Sequence, residues 1–190
     1  MLKDLPACPR ILEFGCGSGA SALVLAADGA EVTAVDVYQP YLDELQRRAS
    51  AAGCARRVQT LCCDMAQPPF ADQTFDIVWS EGAIYLIGFA VGLRRWRPLL
   101  KPGGYIAISE ATWLVDDPPQ AAVDFWNASG TTIASVAENR ATIREAGYEL
   151  VGDFSLPQQD WADYYAPLQR ELEQFRQRTA SNSDVQDFID

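Results

Sequence analysis

Three glycines at alternate positions follow the first apolar run of the chain. The stretch RILEFGCGSG places Gly15, Gly17 and Gly19 directly behind residues 10–14. Glycine accepts positive φ and lets a ligand touch the backbone, and the N-terminus of a following helix offers free N–H groups. Asp36 closes the next apolar run, and its carboxylate can accept two hydrogen bonds from a ribose diol. The stretch predicts a nucleoside pocket, although Asp36 also fits the N-cap of the next helix.

The glycine loop fits two sequence templates. Gly15, Gly17 and Ala20 fit the dinucleotide fingerprint G-x-G-x-x-G/A, which is typical of nicotinamide-dependent oxidoreductases. The template E-x-G-x-G-x-G takes in Glu13 and Gly19 as well. Because both templates are satisfied, the loop alone does not identify the nucleoside, and the rest of the chain has to distinguish them.

Strand-like and helix-like segments alternate along the chain, and the strands are short apolar runs. This pattern predicts an α/β fold with a doubly wound, mostly parallel sheet that helices cover on both faces. Residues 1–157 are expected to form the ligand-binding domain, and residues 158–190 a helical extension with a frayed or truncated end. The predicted strands are 10–14, 31–37, 57–64, 74–80, 105–113 and 148–157, and the predicted helices are 20–29, 39–53, 87–100, 136–147 and 161–179.

The composition narrows the range of functions. The 190 residues carry a formal net charge of −11 and no histidine. An acidic surface repels phosphate backbones, so we expect no nucleic-acid partner. The lack of histidine removes the commonest general base and metal ligand, and we expect no metal site. No signal peptide or membrane-spanning run is recognisable and the five cysteines form no CxxC pair, which together favour a cytoplasmic protein with reduced thiols.

Four segments in a fixed order carry a family resemblance. They are ILEFGCGSG, AVD, CDMAQPPFADQTFDIVWSEGAIY and LLKPGGYIAISE. Together they resemble a class I S-adenosylmethionine-dependent methyltransferase of the small-molecule type, over roughly residues 10–154. The LKPGGY segment is the most telling, because a dehydrogenase has no reason to keep it. The resemblance implies a Rossmann-like class I methyltransferase fold that transfers a methyl group from S-adenosylmethionine to a small-molecule acceptor and releases S-adenosylhomocysteine.

The resemblance also implies a set of cofactor-binding residues. The glycine loop contacts the methionine moiety, the acid after the second strand binds the ribose, and the acid after the third binds the adenine amino group. Asp64 is equally compatible with a plain turn. The implied residues are Glu13, Gly15, Cys16, Gly17, Gly19, Asp36, Val37, Asp64, Met65 and Ser80.

Two side chains after the fourth strand are candidates for assisting the reaction. If the acceptor is a hydroxyl or an amine, a general base helps, and Glu81 is the first candidate and Tyr85 the second. Glu81 also fits a cap of the turn that follows it. If the acceptor is a thiol or a carbon nucleophile, alignment with the donor suffices.

The sequence departs from the family pattern at both ends. Only about nine residues precede the first strand, where relatives commonly carry a helical lid, and no good seventh strand is recognisable. A missing seventh strand leaves a sheet edge that a second copy of the chain can cover, so a homodimer is one expectation. Two alternatives therefore stay open: a non-catalytic, nucleoside-binding module with a methyltransferase-like fold, and a nicotinamide-dependent oxidoreductase.

Overall fold

The computed structural model describes residues 5–179. The chain divides into two compact units between Leu150 and Val151, whereas the sequence placed the domain boundary after residue 157. The first unit holds the sheet and five helices, and the second holds one long helix. Among the described residues, no helix is both long enough and apolar enough to cross a bilayer.

Five parallel strands form the central sheet, in the order β3-β2-β1-β4-β5. Their side chains are largely buried because helices flank both faces, which explains the continuous apolar runs in the sequence. The strands are β1 (Arg10–Phe14), β2 (Glu31–Asp36), β3 (Val58–Cys62), β4 (Phe75–Ser80) and β5 (Leu100–Ile108). This architecture confirms the predicted doubly wound α/β class.

Alternate residues of the strands enter two separate hydrophobic clusters. Ile11 of β1 and Val32 of β2 join the cluster that also contains Leu45. Phe14 joins the other cluster, where its ring stacks on Trp96 with centroids 4.5 Å apart. The helices are α1 (Ala20–Ala27), α2 (Gln39–Ala51), α3 (Phe89–Trp96), α4 (Gln120–Ala128), α5 (Val136–Glu145) and, in the second unit, α6 (Gln158–Arg178).

The LKPGGY segment is a bulge inside β5 and not a turn before it. Phe75 pairs with Leu100 and Ile77 pairs with Tyr105, so residues 101–104 all lie opposite Asp76. Asp76 accepts hydrogen bonds from the Lys101 ammonium and from the Arg10 N–H, both at 2.8 Å. The bulge therefore ties three strands together at the end of the sheet away from the glycine loop.

The prediction of a sixth strand over residues 148–157 is wrong. The segment forms no strand, and Val151, Phe154 and Leu156 are exposed. Its composition suits a strand, but a strand needs a hydrogen-bonded neighbour, and within residues 5–179 none pairs with it. The sequence also missed α4 and the two-residue strands β6 (Thr112–Trp113) and β7 (Ala134–Ser135). The segment DVQDFID, considered as a seventh strand, lies outside the described residues.

Candidate functional site

The carboxyl ends of β1 and β2 are joined by the glycine loop. The N–H groups of Gly15 and Cys16 both donate to the carbonyl of Val35, at 2.9 and 3.0 Å. The loop thus leaves β1, stays attached to β2, and turns into α1, whose N-cap is Gly19. Ligands of parallel open sheets bind at this edge, where strand order reverses on either side of β1.

The three glycines of the loop are required for different reasons. A Cβ at Gly15 would collide with Ala83, and a Cβ at Gly19 would collide with Leu45, so these two allow close packing. Gly17 has φ +52°, and no atom lies within 4 Å of the position that a Cβ would occupy there. Gly17 is therefore the position where the loop borders open space and a ligand can approach the backbone.

Asp36 joins the glycine loop to the start of α2. Its Oδ2 accepts the N–H of Gly17 and its Oδ1 accepts the N–H of Tyr38, both at 2.9 Å. The N-cap of α2 is Tyr38, so the interpretation of Asp36 as the helix N-cap is not what the structure shows. Each carboxylate oxygen has a second lone pair, which leaves Asp36 able to accept ribose hydroxyls as well.

Helix α2 holds the glycine loop from the outside, which the sequence did not reveal. The Arg48 guanidinium donates through Nη1 to the carbonyl of Ser18 at 2.8 Å and to its hydroxyl at 3.3 Å. Leu45, one turn earlier, packs against Gly19. The pair Arg47–Arg48 gave no signal in the sequence, because charged residues on a helix usually belong to a solvated face.

Glu13 lies beneath the loop with an unsatisfied carboxylate. It is 3% exposed, and its Oε2 is buried without a hydrogen-bond partner in residues 5–179. Burial, and next the nearby Glu81 carboxylate, raise the pKa of Glu13 to about 8. Glu81 is exposed, and its Oε2 accepts a hydrogen bond from the Ser21 hydroxyl at 2.7 Å. A buried carboxylate oxygen without a partner is one that a bound cation or N–H donor would satisfy.

The residues after β2 and β3 form a second part of the edge. Asp64 is exposed and its Oδ1 accepts the N–H of Ala66 at 2.8 Å, so it does form the turn that the sequence allowed. Met65 is buried, and its carbonyl accepts the indole N–H of Trp96 at 3.0 Å. Val37 is 66% exposed, at the end of β2. Asp64 and Val37 therefore have accessible surface for an adenosine.

Two predicted residues are placed differently from the simplest expectation, and a third is accessible after β4 as predicted. Ser80 is fully buried, and its hydroxyl donates to the carbonyl of Phe14 at 3.1 Å, so its side chain has no surface for a ligand. Cys16 is buried, and burial strongly raises the pKa of its thiol; it can contribute only through its backbone. Tyr85 is 41% exposed, in the short 3₁₀ helix after β4.

Comparisons with known proteins agree with this geometry. Residues 11–104 match a family model described as a methyltransferase domain. A demethylmenaquinone methyltransferase of Corynebacterium urealyticum is 38% identical over 108 residues, which are 56% of this chain and 44% of that protein. The 27-O-demethylrifamycin SV methyltransferase of Amycolatopsis mediterranei is 29% identical over 155 residues, 78% of this chain and 57% of that protein. The chain thus spans about half the length of these relatives.

A solved structure resembles nearly the whole chain. It is a SAM-dependent methyltransferase from Thiobacillus denitrificans in complex with S-adenosyl-L-homocysteine, with a TM-score of 0.82 and 26% identity, covering 96% of this chain and 75% of that one. With the sheet order and the glycine loop, these similarities show that residues 11–104 form a methyltransferase domain and that the fold is that of S-adenosylmethionine-dependent methyltransferases. The family that the sequence motifs resembled is confirmed.

Proposed function

We propose that this chain binds S-adenosylmethionine at the glycine loop and transfers its methyl group to a small-molecule acceptor. The observation that carries the proposal is the pair of carboxylates at the glycine loop, both of which lie near Cys16. Glu13 is buried with an unsatisfied oxygen, and Asp36 is bonded to the loop itself. The donor has matching ends: an ammonium suits Glu13, and a ribose diol suits Asp36. Glu13 belongs to the template E-x-G-x-G-x-G and not to the dinucleotide fingerprint, which also favours this donor over a dinucleotide.

The chain's own residues have mainly a positioning role. The donor supplies a methyl group already activated on a sulfonium, so transfer needs in-line alignment and exclusion of water more than it needs acid–base chemistry. Asp36 and the Gly17 backbone fix the ribose end, and Asp64, Val37 and Met65 border the adenine. Glu81 and Tyr85 follow β4, and we propose that they line the junction between donor and acceptor.

Calorimetric titration with S-adenosylhomocysteine and with NAD tests the cofactor. We expect S-adenosylhomocysteine to bind and Asp36→Ala to weaken it by about 1.5 to 3 kcal/mol, the range for hydrogen bonds to a charged group. Asp43→Ala is the matched control, because Asp43 is exposed on α2 and accepts a hydrogen bond from the Gln39 side-chain amide at 2.8 Å. Binding of NAD alone would instead support the oxidoreductase alternative.

A turnover assay tests the catalytic part of the proposal. Purified protein with S-adenosylmethionine is offered a panel of phenols, thiols and amines, and methylated products are sought by mass spectrometry. A methylated product supports the enzyme. Binding of S-adenosylhomocysteine with no product across the panel supports the non-catalytic module, which would bind the same nucleoside without transferring a group.

The cellular context is also part of the proposal. We propose a cytoplasmic location and a homodimer in which a second copy covers the edge of the sheet at β5. Within residues 5–179, β5 pairs with β4 alone, and sheet edges of this kind are usually covered. Light scattering after size-exclusion chromatography measures the mass directly, and a monomer at all concentrations removes the dimer from the proposal.

A further inference from the structure

A second unsatisfied acid lies on the other side of the sheet edge, after β5. The Oε2 of Glu110 is buried and has no hydrogen-bond partner in residues 5–179. Burial alone raises the pKa of Glu110 to about 7, and no charged neighbour within residues 5–179 contributes to this rise. An unsatisfied buried carboxylate oxygen is destabilising, so its position calls for a partner that residues 5–179 do not supply.

The backbone places Glu110 beside the end of β4. The Ser109 N–H donates to the carbonyl of Ser80 at 3.0 Å, which extends the pairing of β4 with β5 by one residue. The Ser109 hydroxyl accepts the N–H of Gly82 at 2.8 Å. The acid at 110 therefore follows directly on a segment that is bonded to the turn containing Glu81.

A chain of hydrogen bonds fixes the backbone at this position. The Thr112 hydroxyl donates to the carbonyl of Glu110 at 3.0 Å, and the Asn139 amide on α5 donates to the Thr112 hydroxyl oxygen at 2.9 Å. Glu110 does not cap the next helix, α4, because the N-cap of that helix is Pro119. Its unsatisfied oxygen is therefore not explained by a helix terminus.

The strand order indicates which part of the reaction Glu110 serves. With adenine at Asp64 after β3, ribose at Asp36 after β2 and the amino-acid end at Glu13 on β1, the donor extends across three neighbouring strands. The strands that remain on the far side of β1 are β4 and β5. The acceptor must approach the methyl group from that side, since in-line displacement needs it opposite the sulfur.

We infer that Glu110 forms the acceptor side of the site and receives the proton of an acceptor that carries an O–H or N–H group. This inference rests on the proposed function. In the step, the acceptor's oxygen or nitrogen lone pair forms the bond to the methyl carbon while the carbon–sulfur bond breaks and its electron pair stays on sulfur. The acceptor's proton passes to the Glu110 carboxylate. Glu81 is less available, because its Oε2 is already bonded to Ser21.

The test compares two ligands that differ by one methyl group and one positive charge. Protein with carbon-13-labelled glutamate is bound first to S-adenosylhomocysteine and, in a second sample, to S-adenosylmethionine. The carboxyl signals of each complex are followed by NMR as the pH is varied. The signal that is missing in Glu110→Gln is assigned to Glu110. We expect the pKa of Glu110 to be lower by about 1 with S-adenosylmethionine, because a cation close by favours the carboxylate. Glu31, exposed at the opposite end of β2, is the internal control, and its carboxyl signal should be the same in both complexes.

Binding measurements complete the test. Glu110→Gln should keep the affinity for S-adenosylhomocysteine within about threefold of the wild type, because Glu110 faces the acceptor and not the donor's fixed ends. If both ligands bind and Glu110 titrates identically in the two complexes, or if Glu110→Gln loses more than about tenfold in affinity, the acceptor-side assignment is overturned. If the wild type binds neither ligand, the proposed function itself fails, which is a distinguishable result.

Discussion

The two sides of the sheet edge differ in how their polar groups are satisfied. On the side of β1 to β3, both oxygens of Asp36 accept backbone N–H groups and Arg48 is bonded to the loop carbonyl of Ser18. On the side of β4 and β5, the Oε2 of Glu110 and the indole N–H of Trp79 are buried without partners in residues 5–179. Within the described residues the first side is satisfied except at Glu13, whereas the second side has two unsatisfied groups.

This difference matches the two kinds of ligand that the proposed reaction needs. A donor of constant structure is best met by groups already fixed in place, because preorganisation avoids ordering costs on binding. An acceptor has to supply and receive hydrogen bonds that the chain leaves open. Glu13 is the exception on the donor side, and it is where the proposed function places the ammonium of the donor.

Replacing Gly17 with valine should have the largest effect on the donor side. The side chain would occupy the open space above the loop and force a β-branched residue to adopt φ +52°. We expect affinity for S-adenosylhomocysteine to fall by more than about 100-fold by calorimetry, roughly the loss of 3 kcal/mol or more.

Gly53→Val is the control for backbone strain in this experiment. Gly53 has φ +73° and equally open surroundings, but it follows α2 at the other end of the sheet. Both variants should lose about 1 to 2 kcal/mol of stability from the left-handed conformation, and only Gly17→Val should lose binding. Normal binding by Gly17→Val would mean that the loop is a turn without a ligand.

Glu13→Gln tests the buried acid through the pH dependence of stability. The pKa of Glu13 is raised from 4.5 to about 8 in the folded protein, so between these values the folded state holds a proton that the unfolded state has lost. The free energy of unfolding therefore falls as pH rises from 4.5 to about 8, by at most about 1.4 kcal/mol per pH unit from this group. Glu13→Gln should remove that slope.

Urea unfolding at pH 5, 6.5 and 8 measures the slope, at values chosen to span the interval between about 4.5 and 8. Glu145→Gln is the matched control, because Glu145 is exposed at the end of α5. Identical pH dependence in wild type and Glu13→Gln would show that the pKa of Glu13 does not differ between the folded and unfolded protein, and it would contradict the interpretation of Glu13 as a buried acid with an unsatisfied oxygen.

The sequence predicted the parts of this site that depend on local pattern. The apolar runs of β1 to β4 and the glycine loop were recognisable because a buried parallel strand and a left-handed turn restrict residue types locally. The segment 148–157 has the same apolar character and still forms no strand. Pairing depends on a neighbour elsewhere in the chain, which composition does not encode.

The sequence could not separate the roles of the individual site residues. Gly15 and Gly19 are set by Ala83 and Leu45, which are distant along the chain, whereas Gly17 borders open space. Ser80 and Glu81 are adjacent in the same sequence segment, but the Ser80 side chain is buried in the core. These distinctions arise from tertiary packing, so a motif identifies the loop and the edge without showing which atoms reach a ligand.

Arg48→Ala should have an intermediate effect, through the loop and not through direct contact. Loss of the charged hydrogen bond to Ser18 should loosen the loop and weaken S-adenosylhomocysteine binding by roughly tenfold, about 1.4 kcal/mol. Arg47→Ala is a close control, because Arg47 is the adjacent residue but is exposed and bonded to Glu44. Arg48→Lys should recover part of the affinity, since it keeps a donor. Equal affinities for the two alanine variants would show that the loop does not need this support.

Ser80→Ala should have the smallest effect on the ligand, and it tests whether the end of β4 is structural. Its hydroxyl is buried and bonded to Phe14, so the variant should lose about 1 kcal/mol of stability and keep its S-adenosylhomocysteine affinity within about twofold. Ser50→Ala removes an exposed hydroxyl that is bonded to the carbonyl of Gln46, and it should change neither quantity measurably. A clear loss of affinity in Ser80→Ala, at unchanged stability, would mean that this hydroxyl reaches the donor. The separation between a completed donor side and an open acceptor side would then have to be drawn between β4 and β5, and not between β1 and β4.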